Sequence, residues 1–242
     1  MIRVGVVGAA GRMGQEVCRT IDADPATELV CTVDIDDSLD LLVEHEAEVV
    51  VDFTVLDVAR ETLRFAAANG IHAVVGTTGF SDEDLDAFRA AFTSSNALIA
   101  PNFAIGAVLM IRMAELAAPH FETGEIIEFH HNAKIDAPSG TATHTAERMA
   151  AASSQWADDP TTHEVYPGAR GGAGPAGIRV HGVRMVGAVA SQEVILGTTG
   201  QTLTIRHDTV DRTSFMPGVL VGVKRVADFE GVTIGLDAYL GL

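Results

Sequence analysis

The 242-residue chain has a formal net charge of −17, 47% hydrophobic residues, 24 Gly and 20% charged residues, the composition of an ordinary globular α/β protein able to bury a full core in one large or two modest domains. That charge repels nucleic acid and anionic membranes, and no basic patch offsets it, so an anionic ligand must be held by a local cationic site. No apolar run approaches the roughly 20 residues that span a bilayer, and the N-terminus enters a strand directly; a cytoplasmic location is expected, with Cys18 and Cys31 as buried free thiols.

Residues 2–7 are continuously apolar and read as a strand, and a helix expected over 12–23 sets Met13, Val17 and Ile21 on one face. Strands follow at 29–33 and 49–53, then a helix over 56–69 that stops where Asn69 meets Gly70. A strand at 71–75, an acidic helix running to about residue 92 with Ser81 as its cap, and a strand at 97–100 complete the series. Strands that are apolar throughout and separated by helices imply a Rossmann-like, doubly wound parallel sheet, which binds ligands at the carboxyl ends of its strands.

The glycines fall at those ends. Gly8-Ala9-Ala10-Gly11-Arg12-Met13-Gly14 has one more residue between its first two glycines than the G-x-G-x-x-G fingerprint. It still supplies a tight turn, close backbone approach to a pyrophosphate and a helix N-terminus aimed at phosphates. Asp34 ends the second strand, twenty residues after Gly14 (34 − 14), where a carboxylate takes the adenosine ribose hydroxyls. Gly76, Thr77 and Thr78 end the fourth strand and Ala100, Pro101, Asn102 and Phe103 the fifth, where their amides and the Phe103 ring are expected to wall a nicotinamide. Asp36 and Asp37 follow Asp34 with only Arg12 to offset them, so a ribose 2′-phosphate is repelled and NADH should serve at least as well as NADPH.

After Phe103 the pattern changes. A helix over 105–118, a strand at 125–131, a loop holding Lys134, and a helix over 141–152 lead into a long Gly- and Pro-rich connection at 153–177, read as mobile surface. Strand 178–186 and a hairpin over 192–206, turning at Thr198 to Gln201, read as antiparallel, so this region is a smaller α+β domain. From Ser214 a helix and a strand at 232–236 return to the first domain. The hairpin's Val194, Ile195, Leu196, Leu203 and Ile205 exceed what one face of a small domain needs, which suggests burial against another subunit.

The loop 128–141 places His130, His131, Lys134, Ser139, Gly140 and Thr141 together, an acid/base and anion-binding set. Of 16 Lys and Arg only Lys134 and Lys224 are lysines, and an ammonium can give up its proton where a guanidinium cannot. Adjacent strand residues point to opposite faces, so His130 and His131 can serve one site only if the strand ends there. With no thiolate ligands and no zinc spacing, His130, His131 and His144 do not read as a metal site. His45, His72, His120, His144, His163, His181 and His207 read as surface or structural, and Arg170 and Arg212 either touch substrate, hinge the domains or are solvated.

The glycine turn, Val75-Gly-Thr-Thr-Gly-Phe80, Ala100-Pro-Asn-Phe103 and above all His130-His131, Lys134 and Asp136-Ala-Pro-Ser-Gly-Thr141 resemble the dihydrodipicolinate reductase family of the route to diaminopimelate and lysine. The resemblance spans nearly the whole chain. It implies a dinucleotide-binding domain from residues 1–103 and 213–242, a substrate-binding and oligomerisation domain from 104–212, and a homotetramer. It also implies reduction of 4-hydroxy-tetrahydrodipicolinate, a cyclic dicarboxylate, to tetrahydrodipicolinate with loss of water, by NADH or NADPH and with no metal. By position His130 matches the acid/base histidine, Lys134 the proton donor, His131 a substrate ligand, and Gly140 and Thr141 the turn that grips a carboxylate. The family loop often has a histidine before the lysine, where this chain has Ala133. Two other classes share parts of the pattern. A sugar or hydroxy-acid dehydrogenase need not gather His-His-Lys beside Ser-Gly-Thr, and a dinucleotide-sensing regulator normally adds a DNA-binding element, which the charge opposes.

Overall fold

The apolar strands of the N-terminal half assemble as their pattern requires. In the computed structural model, which describes residues 1–242, one unit comprises Met1–Ile105 with Arg212–Leu242 and a second comprises Gly106–Asp211. The first unit runs β1 (Ile2–Val7), α1 (Arg12–Ala23), β2 (Thr27–Val33), α2 (Asp40–Glu44), β3 (Val49–Asp52), α3 (Leu56–Asn69), β4 (His72–Val75), α4 (Asp82–Ala91) and β5 (Ala97–Ile99). The second runs α5 (Ile105–Ala117), β6 (Thr123–His130), α6 (Gly140–Ala152), β7 (Gly172–Ala173), β8 (Arg179–Arg184), β9 (Ala190–Thr198) and β10 (Gln201–Thr209). The chain then completes the first unit with α7 (Met216–Arg225), β11 (Val232–Ile234) and α8 (Asp237–Leu240).

Helices α1 and α3 form over the expected residues. Helix α1 buries Gly14, Val17 and Ile21 along one stripe, and α3 stops at Gly70, whose φ of 70° is one that glycine adopts without steric cost. Ser81 caps α4 through a reciprocal box with Asp84. The single-turn helix α2 was not expected; it buries only Leu42, too little apolar pattern to register as a period.

The first unit's sheet is parallel throughout, in the order β11-β5-β4-β3-β1-β2. The chain leaves β1 for β2 on one side and returns to β3 on the other, so the strand order reverses between β1 and β3, the place where such sheets bind ligands. Residues Val50, Leu63, Ala66, Val75 and Phe88 are buried in the core packed on this sheet.

The second sheet has the order β10-β9-β6-β8-β7. Strand β9 is antiparallel to both β6 and β10, whereas β8 lies parallel to β6, correcting the antiparallel expectation for that strand. The reason is the connection: α6 and residues 153–177 form the long crossover that a parallel neighbour needs, and strand composition alone does not reveal it. That connection is anchored. Ala157 donates its amide to the Glu122 carbonyl (2.8 Å), Asp159 pairs with Arg170 (3.3 Å) and Arg179 (2.6 Å), and Arg170 also pairs with Glu125.

Alternation sorts the hairpin residues differently from the expectation. Val194 and Leu196 are wholly buried in the unit's own core with Ile126 and Met149, and Ile205 packs against it. Their apolar character is therefore satisfied within the unit. Ile195, between them in β9, faces the other side of the sheet.

Candidate active site

In the first unit, the turn between β1 and α1 is built around glycine. Gly8 has φ of 75°, and its amide donates to the Val33 carbonyl (2.8 Å). A Cβ on Gly14 would lie 2.1 Å from the Gly8 carbonyl oxygen and 2.7 Å from Ala9 Cα, so only glycine lets α1 start this close to the turn. The cap of α1, Gly11, offers no side chain, and Ala10, Gly11 and Arg12 are exposed with Met13 half-buried. Helix-terminal amides with no side-chain cap, reached over bare backbone, fit the phosphates of a dinucleotide.

Asp34 closes the turn: one carboxylate oxygen accepts the Ala10 amide at 2.6 Å and the other the Ile35 amide at 3.2 Å. A carboxylate has about four lone-pair positions, so acceptors remain for ribose hydroxyls. Asp34, Asp37, Asp40 and Glu61 line an adjoining cavity of about 520 Å³ together with Val7, Val33, Leu39, Val58 and Phe65, an apolar slot with an acidic rim.

At the next strand ends, Thr77 is buried with its hydroxyl on the Thr54 carbonyl (3.0 Å), and Thr78 is exposed. Phe53 fills the space a Cβ on Gly76 would occupy (2.1 Å). The Phe103 ring is itself buried against Phe53, with centroids 5.4 Å apart. Ala100 is buried, Pro101 is exposed, and the Asn102 side-chain oxygen accepts the Ala104 amide at 2.8 Å. Asp52, ending β3, is fully buried, and one oxygen accepts the Thr54 amide and hydroxyl (2.8 and 2.7 Å). Burial pushes this carboxyl up against the opposing hydrogen bonds from Thr62 and Thr54.

In the second unit, β6 ends at His130, as a site using both histidines requires; His131 is exposed just beyond it. The loop turns with the Lys134 amide on the His131 carbonyl (3.1 Å), and the Lys134 ammonium holds both Asp136 oxygens at 2.8 and 2.9 Å. That ammonium draws the Asp136 carboxyl below its ordinary pKa. Ser139 is buried: its hydroxyl caps α6 by accepting the Ala142 amide (3.2 Å), and its own amide donates to Glu128 (3.2 Å). Its amide and its hydroxyl oxygen are thereby engaged within the fold. Gly140 is exposed, with nothing within 4 Å of where a Cβ would stand, and Thr141 begins the next positions of the helix.

Sequence reasoning missed Glu128 and Arg184. Glu128 shares the His130 face of β6, two residues earlier, and lies 2.5 Å from the His130 Nδ1. Arg184, paired with His130 in the β8 register, grips Glu128 through both terminal nitrogens at 2.7 Å. Burial raises the Glu128 pKa, but the Arg184 and His130 hydrogen bonds and charges outweigh it and hold the carboxyl below its ordinary value. The period of two could have flagged Glu128. Nothing local could have brought in Arg184, 54 residues beyond His130 (184 − 130).

Arg170 is ion-paired as described, and Arg212 is exposed at the start of a 3₁₀ turn. His181 lies on Glu125 (2.7 Å), and His72 and His207 are half-buried, where desolvation lowers their pKa values. No group of three or more His, Cys, Asp or Glu is placed to hold a metal, and no helix is long and apolar enough to cross a membrane.

A doubly wound sheet with a glycine turn closed by a carboxylate, joined to a mixed-sheet unit bearing a His-His-Lys loop, defines a nicotinamide-dinucleotide oxidoreductase. The chain belongs to the dihydrodipicolinate reductase family: residues 2–103 match the model "Dihydrodipicolinate reductase, N-terminus" and residues 106–240 the model "Dihydrodipicolinate reductase, C-terminus". It is 50% identical to a 4-hydroxy-tetrahydrodipicolinate reductase of Corynebacterium urealyticum, covering 100% of both chains, and 52% identical to one of Nocardia farcinica, covering 100% of this chain and 99% of that one. Among solved structures, a dipicolinate-bound dihydrodipicolinate reductase from Paenisporosarcina sp. TG-14 superposes with a TM-score of 0.90 at 35% identity, covering 98% of this chain and 99% of that one. An amine dehydrogenase from Mycobacterium smegmatis, at TM-score 0.63 and 13% identity over 96% and 94% of the two chains, shares the fold alone.

Proposed function

We propose that this protein reduces 4-hydroxy-tetrahydrodipicolinate to tetrahydrodipicolinate, with loss of water, in lysine and diaminopimelate biosynthesis. The observation that carries the reading is the convergence of His130, Lys134 and the capped N-terminus of α6 on one loop, in a chain half identical to named reductases over its full length. Expelling the hydroxyl as water requires a proton at its oxygen and removal of one from the adjacent ring carbon. Bound NADH or NADPH supplies the hydride, and the electron-rich carbon then left must be protonated.

In this reading His130 exchanges protons, Lys134 protonates the carbon, His131 binds substrate, and the Gly140 and Thr141 amides grip a carboxylate. Residues 1–103 and 213–242 bind the cofactor through Gly8 to Met13, Asp34, Gly76 to Thr78 and Ala100 to Phe103. Residues 104–212 bind substrate and join subunits into a homotetramer, with the outward face of the second sheet, bearing Ile127, Phe129 and Ile195, as the support for assembly. The acidic slot beside Asp34 favours NADH, and the setting is the cytoplasm.

The test is NADH or NADPH consumption with substrate generated in situ from pyruvate and aspartate semialdehyde, run beside a panel of hydroxy acids and sugars. Turnover on a panel member and none on the cyclic dicarboxylate overturns the reading. Light scattering at micromolar concentration is expected to give the tetramer mass; a stable monomer refutes the assembly.

A further inference from the structure

Besides Asp52, Glu128 is the only fully buried carboxylate in the protein, and it stands outside the roles assigned above. Its oxygens are both occupied: Oε1 accepts from Arg184 Nη2 (2.7 Å) and the Ser139 amide (3.2 Å), and Oε2 accepts from Arg184 Nη1 (2.7 Å) and meets His130 Nδ1 at 2.5 Å. An ionised carboxylate only accepts, so the proton in that last contact sits on Nδ1. The reacting nitrogen is then Nε2, on the far side of the ring. The His130 side chain is 16% exposed while Glu128 is 0% exposed, so the ring lies between an enclosed anion and the open loop.

A buried ion pair adds little net stability over a well-packed apolar pair, so stability alone does not account for Glu128 and Arg184. Orientation of the ring does. On the loop that follows, Lys134 and Asp136 are paired with each other. Arg184 Nη2 also donates to the Asp136 carbonyl at 2.7 Å, so one guanidinium ties β6 to the loop that carries the lysine.

We propose that Glu128, clamped by Arg184, is a positioning residue that fixes His130 as its Nδ1–H tautomer and turns Nε2 toward the reacting atoms. This rests on the acid/base role of His130. When the ring acts as a base, Nε2 takes the proton and the imidazolium is stabilised by Glu128, which keeps its charge; when it acts as an acid, Nε2 returns that proton and Nδ1 keeps its own.

The experiment combines Glu128→Gln, His130→Ala and the double variant with ¹⁵N NMR of the His130 ring. Glu128→Gln is expected to lower kcat about 10- to 100-fold, the range for a lost orienting partner, with substrate KM within about threefold, and to replace a single wild-type tautomer by a mixture. Because Glu128 acts through His130, the double variant should be no slower than His130→Ala. Should Glu128→Gln fail to fold, Arg184→Lys, which keeps the countercharge and loses the two-pronged grip, is expected to show the same mixture with a smaller loss of turnover. Additive losses, or a tautomer unchanged by the substitutions, overturn the positioning role while leaving His130 as the acid/base. Unchanged turnover in His130→Ala removes the acid/base reading, and the positioning role with it.

Discussion

Replacing Lys134 by arginine separates two roles that the loop geometry allows. The ammonium sits 2.8 and 2.9 Å from the Asp136 oxygens, and the two side chains are 21% and 58% exposed. Pairs this exposed contribute about 0.2–1 kcal/mol, which is roughly a 1.4- to 5-fold bias in population, so the lysine can leave Asp136 for substrate at little cost. Arginine keeps the charge and the reach, and if Lys134 serves only to attract carboxylates, the change should move KM by no more than about fivefold and leave kcat nearly untouched. If it delivers a proton, the guanidinium is too weak an acid to replace it, and kcat should fall about 10²- to 10⁴-fold. The two outcomes differ by more than an order of magnitude, so a steady-state assay at saturating substrate and cofactor decides between them. We expect the large loss in kcat, with Asp136→Asn changing either parameter by less than about fivefold as the control. Wild-type and Lys134→Arg turnover within about threefold of each other refutes proton donation and leaves the lysine an electrostatic role.

Gly14→Ala drives a methyl to 2.1 Å from the Gly8 carbonyl oxygen, a backbone atom that cannot swing aside; calorimetric NADH affinity is expected to fall at least about tenfold, with about 1–3 kcal/mol of overpacking strain, and unchanged affinity refutes the cradle. The acidic rim of Asp34, Asp37, Asp40 and Glu61 predicts a ratio of catalytic efficiencies for NADH over NADPH of at least one at moderate salt, and a strong NADPH preference contradicts it. For Asp52, whose carboxyl is raised by burial, the protonated form's stability is fully present below the ordinary carboxylate pKa and is lost as pH rises through the raised value. Denaturant melts of Asp52→Asn against wild type should therefore shift in favour of the variant as pH rises above the ordinary carboxylate pKa, whatever the fixed cost of the amide; a difference flat with pH rules this out.

Much of this protein was legible in the chain because its information is local. The apolar strands, the stripe Gly14-Val17-Ile21, the stop at Gly70 and the Ser81 cap are set within a few residues, and they define the doubly wound sheet. The glycine turn and the His130 to Thr141 loop are equally local, which is why their residues and their family resemblance could be read directly. Tertiary structure decided what depends on distant neighbours. The parallel pairing of β8 with β6 follows from a crossover whose path no strand composition encodes, and burial of Val194 and Leu196 in their own core follows from which face that sheet turns inward. Ser139 and Phe103 are singled out by type, and only the fold shows the hydroxyl capping a helix and the ring packed on Phe53. The clamp of Arg184 on Glu128 behind His130 belongs wholly to the fold: hydrogen bonds act across about 3 Å of space, and only folding brings residues 128 and 184 within that distance.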